Sequence, residues 1–142
     1  MLQRYYTDMV TEVPASARQA FRFFCQVDDW SSWSEAIRYA RLFGGWEKGS
    51  LLVFAAKIGR LPPAPLPVRI LDFQQDRELT WGLEIPGGCI KHRFTFIPTA
   101  EDHCRIHHEE WSEGVVTLLA WPAAGLIRQF NEAFARQLAA MF

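Results

Sequence analysis

The C-terminal segment limits what this chain can become. Leu119, Ala123, Leu126, Ile127, Phe130, Phe134, Leu138 and Met141 trace one apolar stripe at helical spacing, with Arg128, Glu132 and Arg136 off it. Ahead of it, back to about residue 37, the chain carries strand signals almost without interruption. A consecutive antiparallel meander cannot bury one face alone, and a long amphipathic helix is the obvious cover. An α+β architecture is therefore expected, with one sheet wrapped on one helix. Pro122 sits near the front of the stripe and predicts a kink or a short first segment.

The strands can be placed. Residues 5–13 are rich in aromatic and β-branched types and read as the first. Ser16 with Gln19 three positions later forms a capping box, and Ala17, Ala20, Phe21, Phe24 and Val27 then fall on one helical face. The stretch 28–33 (DDWSSW) reads as a turn or second short helix, with Trp30 and Trp33 as packing anchors. Strands at 37–43 and 50–58 flank Gly44, Gly45 and Gly49. Strands at 68–74 and 78–85 flank Gln75-Asp76-Arg77, and strands at 89–97 and 103–112 flank 98–102. Pro62, Pro63, Pro65 and Pro67 predict an extended loop, because proline cannot serve a central ladder. The sum is a curved seven-stranded antiparallel sheet, two short helices between strands 1 and 2, and a long C-terminal helix. No repeat, low-complexity tract or boundary divides residues 1–142, so a single domain is expected.

Composition narrows the partners. A chain of 142 residues can bury a real core, and 49% hydrophobic content argues against disorder. Eleven Phe and six Trp would serve a core and still leave aromatics to line a pocket for an apolar ligand. Fifteen basic against sixteen acidic residues, with no basic run, make nucleic acid an unsuitable partner. Cys25, Cys89 and Cys104 are odd in number and show neither CxxC nor zinc-ligand spacing. That pattern suits a reducing compartment. No signal-like h-region and no membrane-length apolar run is present, so a cytoplasmic location is expected. No spacing motif implies a cofactor or a metal.

Alternation assigns the faces of the strands. Lys91, Arg93 and Thr95 share one parity, and Ile90, His92, Phe94 and Phe96 share the other. The charged set should face water, which places His92 inside. On the next strand Arg105, His107 and Glu109 read outward, and Cys104, Ile106, His108 and Glu110 inward. Trp111 falls on the outer parity and predicts a bulge, an interface or exposure. Two registers each keep a charge pair outside: one sets His92 opposite His108, the other sets it opposite Glu110. In both, two imidazoles and a carboxylate gather on the concave side. Leu52, Phe54 and Ala56, with Leu79, Trp81, Leu83 and Ile85, supply the apolar lining.

These residues resemble a known superfamily. The stretches V-P-A-S-A-R-Q-A-F-R-F-F (13–24), D-D-W-S-S-W (28–33) and G-S-L-L-V-F (49–54) are similar to its first half. R-E-L-T-W (77–81), H-R-F-T-F-I-P (92–98), H-E-E-W-S-E-G (108–114) and the closing helix are similar to its second. It is the START-related, birch-pollen-allergen-like helix-grip superfamily (SRPBCC), with the polyketide cyclase/dehydrase-like branch as the nearest likeness. The resemblance implies a helix-grip fold around a cavity for hydrophobic or aromatic small molecules. It marks fold elements and transfers no catalytic residue. The Pro62–Pro67 loop departs from the usual short connection.

The expected function is binding of a small hydrophobic or aromatic ligand, lipid- or polyketide-like. Leu52, Phe54, Trp81, Leu83, Phe94, Ile106, Phe130 and Phe134 would line the cavity, and His92, His108 and Glu110 would make the polar contacts. The alternative is an enzyme of cyclase or dehydratase type with those three as an acid–base set, because proton removal beside a carbonyl and proton delivery to an oxygen suit paired titratable groups. A metal held by two His and one Glu is a lesser variant. A third reading is an interaction domain with a collapsed cavity. A homodimer is possible, with Trp111 and the proline loop as candidate contacts.

Overall fold

The computed structural model describes residues 2–142. Strand β1 (Gln3–Val13) leads into α1 (Ala17–Phe24), a 3-10 turn (Val27–Asp29) and α2 (Trp30–Trp33). Six strands follow: β2 (Ile37–Phe43), β3 (Leu51–Ala56), β4 (Ala64–Gln74), β5 (Glu78–Ile85), β6 (Gly88–Ala100) and β7 (His103–Gly114). The chain closes with α3 (Val116–Ala120), a 3-10 turn (Trp121–Ala123) and α4 (Ala124–Ala139). The break at Pro122 is the one its missing N–H requires.

All seven strands join one antiparallel sheet in the order β1-β7-β6-β5-β4-β3-β2. The first strand thus lies beside the last, and α1 and α2 carry the chain to the opposite edge. Bulges at Tyr5/Thr7, Ile37/Tyr39, Ile70/Asp72 and Pro98/Ala100 each add local bend and twist. Ser16 caps α1 by accepting from the Gln19 N–H at 3.0 Å. The helix buries Ala17, Ala20, Phe21 and Phe24. Phe24 stands at the centre of an aromatic core with Trp30, Trp81, Phe94, Phe96 and Phe134. Trp30 is fixed there by its Nε1–H, which donates to the Phe24 carbonyl at 2.7 Å.

Three expectations need correction. Pro65 and Pro67 lie within β4 and pair with Ala55 and Val53 of β3. The Ile70 N–H donates to the Ser50 carbonyl at 2.9 Å, so alternate β4 residues bond toward β3. By the strand period, Pro65 and Pro67 occupy positions whose N–H would face β5, and their missing donors fall on a side where no ladder forms. The β4–β5 ladder accordingly stops at Arg69↔Gly82.

Trp111 is on the outer face but only 8% exposed. Tyr5 stacks on it at 5.6 Å and the Arg93 guanidinium sits 5.0 Å from its ring, so it offers no free contact surface. The buried face of the long helix also differs from the stripe. It runs through Ala124, Asn131, Phe134, Ala135 and Leu138, whereas Leu119 (74%), Leu126 and Met141 are exposed. No helix among the described residues is long and apolar enough to cross a membrane.

Candidate functional site

A cavity of about 290 Å³ lies between the sheet and α4. Its apolar wall comes from Phe54 and Ile58 on one side, from Leu66, Pro67 and Val68 of β4, from Trp81 and Leu83 of β5, from Ile90 of β6, and from Ile127 of α4. The polar side chains in the wall are His92 and Glu110. They face each other because the hairpin adopts the register with His92↔Glu110 and Arg93↔Glu109. Strands longer than the sequence suggested, with a tight turn at Glu101 and Asp102, set that register.

His92 Nε2 lies 3.0 Å from Glu110 Oε2, with both side chains largely buried. His92 Nδ1 lies 3.4 Å from Nε2 of His108, which stands behind it. Asn131, from the buried face of α4, donates through Nδ2 to Glu110 Oε1 and, at 2.8 Å, to Thr7 Oγ1. Glu110 is thus held from both sides. Trp81 stacks on His92 at 5.4 Å and Phe94 stacks on His108 at 4.0 Å, which fixes both imidazole planes.

Burial pushes the His108 pKa well below its ordinary value, helped by the nearby His92 and His107. His108 is therefore neutral, and its Nδ1 has no partner. A buried N–H is rarely left orphaned, so the tautomer that fits has the proton on Nε2, donating to His92 Nδ1. His92 Nε2–H then donates to Glu110. The result is a directed chain from His108 through His92 to the carboxylate. Asn131 Oδ1 and Trp81 Nε1 are also buried without partners beside this chain.

A metal does not fit the three residues. Glu110 and His108 engage opposite nitrogens of His92, so their donor atoms cannot converge on one ion. On the outer face Asp8, His107 and Glu109 bring one donor atom each within 4.8 Å of one another, but His107 Nε2 is already paired with Asp8 at 2.6 Å. Arg93 moreover already forks onto Glu109 at 2.9 and 3.1 Å.

Of the residues expected at the site, Phe54, Trp81, Leu83, His92 and Glu110 line the cavity. Leu52, Phe94, Ile106 and Phe134 are placed in the core instead, and half-buried Phe130 stacks on Phe134 away from the cavity wall. His108 backs the wall without forming it. Parity gave the correct face for these strand residues but not their distance from the helix. Sequence reasoning missed Asn131, a polar residue inside an apolar stripe, although Ile127, Asn131, Phe134 and Leu138 repeat at i, i+4, i+7 and i+11. It also missed Leu66 and Pro67, which lay in the supposed loop, and Val68, the first residue of the expected strand 68–74.

No family model matches the chain, and no curated protein matches it in sequence. Solved structures do match in fold. A START superfamily protein from Mycobacterium smegmatis superposes with a TM-score of 0.76 at 14% identity, covering 95% of this chain and 94% of that one. The Zhui aromatase/cyclase from a Streptomyces species gives 0.73 at 11% identity, with 96% and 88% covered. Norcoclaurine synthase from Thalictrum flavum, in complex with dopamine and hydroxybenzaldehyde, gives 0.71 at 13%, with 99% and 86% covered.

Proposed function

On the helix-grip fold of the START-related superfamily, and from the contents of its cavity, we propose that this chain binds a small hydrophobic or aromatic molecule of lipid- or polyketide-like character. The supporting observation is an apolar cavity of about 290 Å³ whose polar side chains are one hydrogen-bonded His–Glu pair. That volume holds on the order of ten to fifteen non-hydrogen atoms. Both nitrogens of His92 are engaged, while each Glu110 oxygen keeps a second lone pair for the ligand. A donor such as a phenolic hydroxyl is therefore the polar group the site suits.

Native mass spectrometry of freshly purified protein, followed by denaturing extraction, tests this reading. A stoichiometric lipophilic compound is the expected result. A protein that is empty, and that fails to bind a panel of fatty acids, aromatics and polyketide-like compounds, would overturn it.

A second reading has its own support in the directed chain His108–His92–Glu110. A carboxylate coupled to an imidazole in a low-dielectric wall can take a proton from carbon beside a carbonyl and return one to oxygen, the chemistry of a cyclase or dehydratase. The likeness to an aromatase/cyclase supports this reading at the level of fold. His92→Ala and Glu110→Ala should then abolish turnover of a polyketide-like substrate while leaving the circular dichroism spectrum unchanged. Equal turnover by wild type and both variants would rule the catalytic role out.

A further inference from the structure

The end of the β4–β5 ladder has hollows on both faces of the sheet. Val68 and Leu83 belong to the inner face, since they pair with Leu52 and Ile90. Both also border a depression of about 430 Å³ on the outer face, along with Leu51, Leu71, Arg69 and Glu84. Pro67 and Gly82 border both hollows too. A path through the sheet needs a place where no ladder closes it. That condition is met here: Leu83, Glu84 and Ile85 have no partners in β4, although they continue to pair with β6. At the last rung Gly82 is crowded from β4 as well, because a Cβ there would lie 3.0 Å from Leu71 Cδ1. The β4–β5 ladder thus runs up to Gly82 and is absent past it, over three residues or about 10 Å of strand.

We propose that the inner cavity and the outer depression are one continuous binding site through the sheet, and that its ligand has a compact aromatic head and a linear alkyl tail threaded between β4 and β5. This rests on the binding function proposed above for the position of the head. The head, limited by the inner volume, lies against Trp81 with its donor at Glu110. The tail passes Val68 and Leu83 and lies on Leu51 and Leu71, in a depression that Arg69 and Glu84 also border. An unbranched chain is required because backbone bounds the opening on both sides and would stop a second ring.

A series of 4-alkylphenols from methyl to octyl, titrated by calorimetry, tests the proposal. 4-Butylphenol already fills the inner cavity. In the wild type, affinity should keep rising about three- to fourfold per methylene from butyl to octyl, as expected for buried CH₂ groups. Leu71→Trp places an indole in the outer depression, and there the rise, referred to 4-methylphenol in the same protein, should stop near butyl. Leu51→Trp fills the same depression from β3 and serves if the first variant does not fold. A plateau at butyl in the wild type, or the wild-type rise retained in a folded variant, overturns the proposal while binding of the short phenols stands. Failure of every alkylphenol to bind overturns the threaded site and the binding function together.

Discussion

His108 carries the clearest consequence of a single residue's surroundings. Its imidazole is fully buried beneath Phe94 and beside His92, and its pKa in the folded chain is depressed, chiefly by burial. The unfolded chain takes up that proton near the ordinary value of 6.5. Between the two values the unfolded state binds more protons, so stability rises with pH in that window. The stabilisation is complete above about pH 6.5 and is lost as pH falls below it, with a slope of up to about 1.4 kcal/mol per pH unit. Urea unfolding at pH 7.5, 6.5, 5.5 and 5.0 should show this fall, and His108→Leu should flatten it. Asn131 gives a second prediction. It donates to both Thr7 and Glu110, so Asn131→Leu leaves a buried carboxylate short of a donor and should cost about 1 to 3 kcal/mol by the same assay.

At the scale of elements, most boundaries follow from local pattern. The Ser16 cap, the Gly and Asp76 turns and strand alternation are nearest-neighbour effects, and the strands fall where those signals place them. β4 departs because proline was judged against a ladder on both sides, whereas the missing N–H groups of Pro65 and Pro67 face only β5, where the pairing ends. Where β6 and β7 begin and end, glycine is required sterically. Gly114 has φ +82°, and a Cβ there would lie 2.2 Å from the Gly87 carbonyl oxygen. Gly114→Ala should therefore destabilise by roughly 2 to 3 kcal/mol, measured by chemical denaturation. A change below about 0.5 kcal/mol would show that this corner relaxes. The tie between β1, β7 and α3 is also made at this level, through Tyr6 Oη, Ser112 Oγ and Thr117 Oγ1 at 2.7 and 2.9 Å, all buried.

Taken whole, the molecule is a sheet closed on a helix that stands off it enough to leave a cavity beside a dense aromatic core. Ligand in that cavity binds the folded state alone, so occupancy should appear as thermal stability. At a free concentration 100 times Kd the gain is about 2.7 kcal/mol, or roughly 5 to 10 °C for a chain of this size. A thermal shift screened with 4-alkylphenols checks it, and the absence of any shift at saturating probe would contradict the binding reading. Sequence alone indicated which residues face inward on β3, β5, β6 and β7, because a period of two is a local property of the chain. It likewise settled that one amphipathic helix must cover a meander, because the apolar face of a sheet needs a partner. Two things were decided only in three dimensions. The choice of Glu110 over His108 as the partner of His92 came from strand length and the turn at 101–102, since both registers satisfied the outer charges equally. Which inward residues border open space, and which lie in the core, came from the distance between α4 and the sheet at each point. That distance is set by the sum of long-range contacts around Phe24, Asn131 and Phe134, and no local pattern in the chain encodes it.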